Sequence, residues 1–323
     1  MKLTYEWRDV PYRKESFNIP YQFYACEDSG EQFTSTDLDE VNMRMVYNQF
    51  RAKHHIPLNE EIKLIREKYE VSASRMGELL GFGPNTFGQY EKGDLPSMAN
   101  AKLLKIAENP SKFIDLVEDW QTTSLKAKAE LKKRTQKLIL EQKSTFIDIE
   151  SYLMGSREPD EFTGFKSPDF EKLTEMIVFF SQKAPCFKTK MNKLLFYTDF
   201  AMFRQHGRSL SGARYKAISY GPVPNSFESI FESLAKQDVI DLVYEELPEG
   251  GQKQFLEGRM DRPFNKELFS TIELEVLYMV RERFKKTKPF EIVEISHKEN
   301  AWINNEKSKS FISYNYALAL KAI

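Results

Sequence analysis

Cysteine and histidine are scarce in this chain of 323 residues, which contains two cysteines and four histidines. Cys26 and Cys186 lie far apart, so the sequence predicts no disulfide framework and no zinc site made by cysteines alone. Also missing are a Walker loop, a Gly-x-Gly-x-x-Gly motif, a His-Glu-x-x-His motif and a Ser/His/Asp order. These absences argue against an enzyme, a bound metal and a cofactor, and we expect none of the three.

Long apolar runs are absent as well. The longest, such as Met176–Phe180, fall far short of the roughly 20 residues that span a bilayer. Residues 1–7 contain no uninterrupted apolar core, so we expect neither a secretory signal nor a membrane partner. Lys and Arg number 47 and Asp and Glu number 48, a net charge of −1 that excludes a strongly basic nucleic-acid coat but not a local basic face. We expect a cytoplasmic protein.

The residues that are present describe a folded protein. Hydrophobic side chains make up 41% and charged side chains 29% of the chain, a balance typical of globular rather than disordered sequences. At about 100 to 200 residues per domain, the length predicts two or three domains. Helical patterns outnumber strand-like ones, so we predict an α+β fold that is mostly α. The predicted domains are residues 1–57, 58–120, 121–168 and 169–323.

Residues 1–57 are rich in aromatic side chains and combine strand and helix patterns. The alternation over Tyr21–Ala25 is strand-like. Apolar residues spaced three to five apart then predict a helix over Asp37–Lys53. This zone is therefore predicted to be a small α/β region.

Five short helical patterns fill residues 58–120, and the stretch Ser72–Gly93 is the most informative. It contains two helices of about eight residues joined by a tight turn at Gly81, and the diameter of the second helix fits a DNA major groove. Phe87 and Tyr90 are predicted to face inward. The alternative is a pair of ordinary helices with solvated polar faces. The residues suited to contact bases or phosphates are Ser72, Ser74, Asn85, Thr86, Gln89 and Lys92.

Residues 121–143 form a charged segment in which Leu125, Leu131 and Leu138 recur near a seven-residue step. We interpret this segment as a solvated linker helix, with a phosphate-facing or dimer-forming helix as the alternative. Residues 145–168 contain several glycine and proline turn formers and are predicted to be a boundary loop.

A second α+β unit is predicted from Asp169 onward. Its helical patterns are of the amphipathic kind, and its strand patterns are short. The helices are expected over residues 170–183, 190–205, 226–236 and 273–286, the strands over 213–220 and 239–244, and a rigid Gly-Pro-Val-Pro turn at 221–224.

Three polar residues of this unit could meet in the fold, namely Asp199, Tyr220 and His297. We interpret them as parts of a buried hydrogen-bonded network rather than as catalytic groups, because buried polar groups need partners whatever their function. His297 near Trp302 is predicted to be a packed histidine. Tyr197 and Asp199 are two positions apart on one helix, so their side chains should point in different directions.

The stretch Tyr69–Gly93, with its closing Tyr-Glu-Lys-Gly, resembles the DNA-binding half of the MqsA-type antitoxins, a branch of the Xre-like helix-turn-helix repressors. The run Ala101–Ile106 continues the likeness. The resemblance implies a homodimer that binds operator DNA and represses its own operon. The base-reading positions of the family fall on Asn85 and Gln89. The family has arginine at the second position, so the glutamine implies a different operator.

The amino-terminal zone resembles the same family from Val10-Pro11-Tyr12 through to the segment Tyr24–Glu31. In that family two Cys-x-x-Cys pairs hold a structural zinc. Here only Cys26 remains, and Ser29 stands at the second position of its pair. Tetrahedral structural zinc needs four ligands. We therefore expect a degenerate region without zinc, stabilised by its aromatic side chains, in which Cys26 is a relic or a core thiol.

A Lys-Leu-Leu-x-Tyr-x-Asp helix from Lys193 to Asp199 and a Tyr-Gly-Pro-Val-Pro element from Tyr220 to Pro224 mark the carboxyl-terminal zone. They resemble the Panacea domain, also called SocA-like, and the likeness extends over residues 170–320. The resemblance implies an antitoxin that neutralises a protein toxin by direct binding. The candidate toxin contacts are Phe203, Arg208, Arg214, Tyr215 and Tyr220.

The two resemblances together predict a two-headed antitoxin. A five-helix helix-turn-helix domain would bind operator DNA, and an α+β Panacea domain would bind the toxin. The alternative is a transcriptional regulator or a proteolysis adaptor that uses its Panacea domain for sensing or binding. An enzyme is a third class, for which the sequence offers no nucleophile, metal site or phosphate loop.

Overall fold

The computed structural model describes residues 1–122, 124–144, 153–155, 158–246 and 252–323. The chain divides into two compact units, which we call the first unit (residues 1–48 and 149–323) and the second unit (residues 49–148). Helices dominate and the sheets are small and antiparallel, so the predicted α+β, mostly α fold class is confirmed. Within the described ranges, no helix combines the length and the apolar character needed to cross a membrane.

The bounds of the elements follow the chain order. The helices are α1 (Thr36–His54), α2 (Asn59–Lys68), α3 (Ala73–Leu79), α4 (Thr86–Glu91), α5 (Met98–Glu108), α6 (Pro110–Asp119), α7 (Leu125–Ser144), α8 (Phe170–Ser181), α9 (Lys188–His206), α10 (Phe227–Lys236), α11 (Thr271–Phe284), α12 (Pro289–His297) and α13 (Asn300–Ile303). The strands are β1 (Lys2–Tyr12), β2 (Glu15–Ala25), β3 (Gln32–Phe33), β4 (Cys186–Phe187), β5 (Tyr215–Ile218), β6 (Gly221–Pro224), β7 (Ile240–Glu246) and β8 (Gln252–Gly258). They form three sheets, in the orders β1-β2-β3, β4-β8-β7 and β5-β6.

The first unit begins with a long hairpin in which β1 pairs with β2 from Lys2 opposite Ala25 to Tyr12 opposite Glu15. The sequence pattern predicted only its last five residues as strand. The hairpin turn at Arg13 and Lys14 has positive φ at both positions, as a type I′ turn requires. Two long basic side chains rather than Asn-Gly occupy the turn, so it carries no conventional signal. The hairpin was therefore missed in the sequence.

Helix α1 covers the far edge of β2 with an amide side chain. The Gln22 backbone N–H donates to Asn42 Oδ1 at 2.8 Å, and Asn42 Nδ2 donates to the Gln22 carbonyl at 2.9 Å. Asn42 thus supplies the two hydrogen bonds that a neighbouring strand would have made. The predicted helix over Asp37–Lys53 is confirmed within one residue at each end.

The core of the first unit lies around α9, whose residues from Met191 to Phe203 are nearly all buried. Aromatic side chains stack along this helix. The rings of Phe200 and Tyr314 are 4.3 Å apart, and those of Tyr197 and Phe284 are 4.8 Å apart. The helices and strands predicted between residues 170 and 286 are present with shifts of a few residues at their ends.

The Gly-Pro-Val-Pro segment is a correction to the sequence prediction, since it forms strand β6 rather than a turn. It pairs with β5 from Tyr215 opposite Pro224 to Ile218 opposite Gly221. Pro222 and Pro224 lie two residues apart on the strand, so the positions of their missing N–H groups both point away from β5. The odd-numbered residues keep the donors that face β5, as the Asn225 N–H shows by donating to the Arg214 carbonyl at 2.7 Å.

The second unit is a helical bundle around one apolar cluster. The rings of Tyr69 and Phe113 stack at 3.9 Å, and Tyr69 Oη donates to the Ala107 carbonyl at 2.7 Å. Helix α7 packs on this cluster through Leu131, which is buried, and Leu138. The expectation of a solvated linker helix is thereby corrected for the part of α7 that contains Leu131 and Leu138, whereas Leu125 at its start is 76% exposed. Residues 145–152, 156 and 157 of the predicted boundary loop lie outside the described residues.

Candidate functional site

The predicted helix-turn-helix is built by a cap and three glycines. Ser72 caps α3 by accepting a hydrogen bond from the Arg75 N–H at 3.3 Å. The turn that follows needs positive φ at Gly81 (72°) and Gly83 (88°). Gly77 on α3 lies so close to the turn that an added Cβ would be 2.3 Å from the Gly83 carbonyl oxygen. The local sequence therefore determines both the turn and the close approach of α3 to it.

Helix α4 has a buried face and an exposed face, as predicted. Phe87 and Tyr90 are buried, and Asn100 Nδ2 donates to Tyr90 Oη at 2.9 Å. The six residues proposed to contact DNA lie on the surface of the second unit. Thr86 is half-buried, and the exposed ones are Ser72, Ser74, Asn85, Gln89 and Lys92.

An ion pair that the sequence did not predict fastens α4 to α2. Arg66 Nε donates to Glu91 Oε1 at 2.5 Å, and Arg66 Nη1 donates to the Val71 carbonyl at 3.0 Å. Both charged side chains are mostly buried. The two partners lie 25 residues apart, so no local pattern points to the pair. Its effect is to hold the exposed face of α4 in one orientation.

The amino-terminal turn does not have the donor set of a structural zinc site. The Cys26 N–H donates to the Glu31 carbonyl at 2.9 Å, and the Gly30 N–H donates to the Cys26 carbonyl at 2.9 Å, so backbone bonds close the turn. Cys26 is half-exposed, which corrects the option of a core thiol. The pKa of its thiol is lowered chiefly by a hydrogen bond with Ser29. Among the described residues, no three His, Cys, Asp or Glu side chains are grouped to hold a metal ion.

Asp199 is the centre of a buried network in the first unit. Its Oδ1 accepts from the N–H groups of Leu210 and Ser211 at 2.8 and 2.7 Å, and its Oδ2 accepts from Ser211 Oγ and Tyr215 Oη at 2.6 and 2.7 Å. Burial raises the pKa of Asp199, and these four hydrogen bonds oppose that shift. The carboxylate has no accessible surface, so it holds the chain between α9 and β5 in place. The prediction of a buried hydrogen-bonded network holds for Asp199 alone among the three residues named for it.

The suggested meeting of Asp199 with Tyr220 and His297 is not formed. Tyr220 is 70% exposed, whereas Asp199 is fully buried with partners from residues 210–215. His297 stacks on Trp302 with ring centroids 3.8 Å apart, as predicted for a packed histidine. Tyr197 and Asp199 point in different directions, since Tyr197 Oη donates to Glu299 Oε1 at 3.3 Å.

A buried lysine under β6 is the main feature that sequence reasoning missed. Lys193 has no exposed surface, and its Nζ donates to the Pro222 carbonyl at 3.1 Å. Burial lowers the pKa of Lys193 to about 7. A Cβ at Gly221 would lie 2.6 Å from Lys193 Cε and 2.4 Å from Ser296 Oγ, so only glycine allows this approach. The motif residues Lys193, Gly221 and Pro222 thus form one packed unit.

The five candidate toxin contacts occupy different depths. Phe203 and Tyr215 are 1% and 0% exposed, so in this fold they are core residues with no surface to offer a partner. An aromatic side chain suits a core as well as a binding surface, so the sequence alone did not distinguish the two. In the fold both rings pack against Tyr314, which places them in the core. Arg208 and Arg214 are half-buried, and Tyr220 is exposed.

A comparison of the sequence with known protein families finds a match over this part of the chain. Residues 191–303 match the family model described as "Antitoxin SocA-like, Panacea domain". The match covers less than half of the chain and includes Lys193, Asp199, β5, β6 and Trp302. No curated protein and no solved structure matches the chain. The segment 191–303 of this chain is therefore a Panacea domain of the SocA-like antitoxin kind.

Proposed function

We propose that this protein is the antitoxin of a toxin–antitoxin system and that its Panacea domain neutralises a protein toxin by direct binding. The Panacea domain at residues 191–303 is the observation that carries the proposal. Neutralisation is by occlusion, and no chemical step by this chain is required. The buried carboxylate Asp199 has a structural role, because all its described partners are residues of the same domain.

Tyr220 is the anchor that we assign to the toxin-binding surface. It is 70% exposed at the turn between β5 and β6, and exposed tyrosines are common energetic centres of interfaces. The turn is held from below by the bond from Lys193 Nζ to Pro222 and from the side by the bond from Trp302 Nε1 to the Ile218 carbonyl, 2.8 Å long. A backbone that is already fixed loses little entropy on binding, so the cost of ordering the turn is low.

Arg214 and Arg208 supply positive charge on the surface of the same domain. Arg214 Nη2 bonds Asp160 Oδ2 at 2.6 Å and its guanidinium lies 5.7 Å from the Phe311 ring centre. Arg208 Nε donates to Asn48 Oδ1 at 3.4 Å. Both side chains are held in place before any partner arrives, Arg214 by an ion pair with Asp160, so little side-chain entropy would be lost when a toxin binds them.

We assign operator binding to the helix-turn-helix, which would allow the protein to repress its own operon. Support comes from α4, whose polar residues Asn85 and Gln89 are exposed while Phe87 and Tyr90 anchor it. Asn and Gln side chains form paired hydrogen bonds to adenine edges. Two copies would read two half-sites, as helix-turn-helix proteins commonly do.

Co-expression with the protein encoded next to this chain tests the toxin-binding proposal. The full chain should restore growth and co-purify with the toxin, whereas Tyr220→Ala should weaken the complex at least tenfold, in line with about 1.4 kcal/mol for an interface aromatic. Tyr244→Ala is the matched control, because Tyr244 is an exposed tyrosine of β7 outside the assigned surface. If the full chain neither restores growth nor forms a complex with the neighbouring protein, the alternative of a transcriptional regulator is favoured. Loss of toxin only in cells that contain a given protease would favour the adaptor.

A further inference from the structure

The amino-terminal sheet has two edges of very different character. On one side, β2 is covered by the Asn42 amide and by β3, which pairs at Tyr24 and Ala25. On the other side, β1 ends the sheet, and within the part of the chain that the structure describes no strand pairs with its outer edge. This open edge is 11 residues long, the length of β1 itself. Unpaired N–H and C=O groups along such an edge favour the addition of another strand.

Of the devices that usually protect an edge strand, β1 has charged side chains and one proline but no bulge. No residue of the strand is buried, and Trp7 and Leu3 are 52% and 48% exposed. Its register with β2 runs without a bulge from Lys2 to Tyr12. The strand contains one proline, Pro11, next to its end. An unbulged and partly apolar edge of this length can accept a further strand, and its charged side chains decide which strand fits.

The side chains of β1 are complementary to those of a second β1 laid antiparallel to it. When Trp7 faces the Trp7 of a second copy, Glu6 faces its Arg8 and Arg8 faces its Glu6. Opposite charges at facing positions stabilise strand pairs, as do facing aromatic rings. In one chain Glu6 and Arg8 already lie together, with Arg8 Nε 2.5 Å from Glu6 Oε1. Two chains would therefore place four alternating charges on one face of the sheet.

The two neighbouring registers that keep the same face of the sheet are unfavourable. Centring the pair on Glu6 places Glu6 opposite its own copy, and centring it on Arg8 places Arg8 opposite its own copy. Like charges at facing positions destabilise strand pairs. A shift by a single residue would instead turn one sheet over, because side chains alternate between the faces. The charges on β1 therefore select the register about Trp7.

We propose that two copies of this chain associate by antiparallel pairing of their β1 strands about Trp7, which joins two three-stranded sheets into one of six strands. The contact is isologous, so it closes a twofold dimer in which each β1 edge is paired with the other. It names the dimer surface that operator binding in the proposed function needs, and it does not depend on any toxin.

Charge reversal at β1 tests the surface and the register together. In light-scattering measurements on the full chain, Glu6→Arg should raise the dimer dissociation constant at least about tenfold, and Arg8→Glu should do the same, because each places like charges at two facing sites. The double variant Glu6→Arg/Arg8→Glu should restore the dimer. Glu245→Arg on exposed β7 is the matched control and should leave it unchanged. A monomeric wild-type chain, or a dimer that survives both single reversals, overturns the proposal.

A cysteine at the twofold axis provides a test that is independent of charge. Facing residues of an antiparallel pair have Cα atoms about 4.5 to 5.5 Å apart, within disulfide reach. Trp7→Cys in a Cys26→Ser background should thus form a disulfide-linked dimer under mild oxidation. Asp9→Cys in the same background should not, since its two copies would be about 13 Å apart along the strands. Equal cross-linking at both positions, or none at position 7, overturns the register.

The outcomes for the dimer and for the toxin are separable. A monomeric chain that still rescues growth contradicts the β1 pairing and leaves toxin binding intact. A β1-linked dimer that neither binds nor neutralises the neighbouring protein contradicts the antitoxin proposal and leaves the pairing intact.

Discussion

Lys193 and Asp199 belong to the same helix and are both fully buried, yet their surroundings satisfy them to different degrees. Asp199 accepts four hydrogen bonds, whereas the one hydrogen bond described for Lys193 Nζ is to the Pro222 carbonyl. A buried ammonium with so little compensation is costly in its charged form. Lys193 is therefore the residue of this core whose charge state should affect stability near neutral pH.

The pH dependence of folding should contain a contribution from Lys193. Its pKa is about 7 in the fold against an ordinary 10.5, so between these values the unfolded chain binds a proton that the folded chain does not. The free energy of unfolding should then rise with pH across this window, by up to about 1.4 kcal/mol per pH unit. As pH falls towards 7, this stability is lost again because the folded chain must bury the charged ammonium.

Urea unfolding at pH 7 and pH 9 measures this effect. Lys193→Met keeps the packing under β6 and removes the titration, so its stability should change less with pH than that of the wild type. Lys298→Met is the matched control, because Lys298 is exposed. Identical pH slopes for Lys193→Met and wild type would contradict the assignment.

Asn85 should affect which operator bases are preferred, because it is exposed at the start of α4. Asn85→Ala should cost about 1–3 kcal/mol of operator binding and relax the base preference at one position. Ser74→Ala should instead weaken binding to all sequences alike, as expected for a phosphate contact. Competition binding with operator variants measures both, and an unchanged base preference for Asn85→Ala would argue against α4 as the reading helix.

At the scale of elements, the sequence was reliable where a turn uses residues that favour it. The turn before α4 contains Gly81 and Gly83, and it was predicted. The hairpin turn at Arg13 and Lys14 adopts positive φ with residues that seldom do so, and it was missed. The β6 strand was mistaken for a turn because its prolines are informative only once β5 is known to lie on one side.

A pair of glycine substitutions tests the packing of α3 on its turn. Gly77→Ala places a methyl group 2.3 Å from the Gly83 carbonyl oxygen, so the turn must shift. We expect a loss of about 1–3 kcal/mol in stability together with a loss of operator binding. Gly88→Ala is the matched control: its Cβ would meet Ala73 Cβ at an ordinary 3.8 Å, and alanine is the better helix former by about 0.5–1 kcal/mol.

Chemical unfolding and operator-binding measurements on the two glycine variants test whether the close approach of α3 to its turn is needed. Gly88→Ala should be neutral or more stable and should still bind the operator. If Gly77→Ala is as stable as Gly88→Ala and binds equally well, the close approach of α3 to its turn is not required.

At the scale of the whole molecule, residues 1–48 contribute to the unit that contains the Panacea domain. They cover the last carbonyl groups of α9, which a helix end leaves without partners. Arg44 Nη1 donates to the His206 carbonyl at 2.8 Å, and Asn48 Nδ2 donates to the Gly207 carbonyl at 2.8 Å. The stability of the Panacea domain should therefore depend on residues far from it in sequence.

The fragment 160–323 should for this reason be less soluble and less stable than the full chain, and it should rescue growth less well. In the full chain, Arg44→Ala should lower stability by about 1 kcal/mol because it removes a hydrogen bond from a partly buried carbonyl. Arg134→Ala, which alters an exposed arginine within the second unit, is the control. Thermal unfolding and soluble yield measure both. A fragment as stable as the full chain would contradict this role of residues 1–48.

The sequence by itself determined the fold class, the short helices α3 and α4 with their cap and glycine turn, and the Panacea domain, since each depends on short stretches of neighbouring residues. The tertiary structure alone decided the partners of Asp199, the burial of Phe203 and Tyr215, the pairing of β1 with β2 and the ion pair of Arg66. Chemistry permits these side chains more than one environment. The choice depends on contacts between residues distant in sequence, which local patterns do not encode.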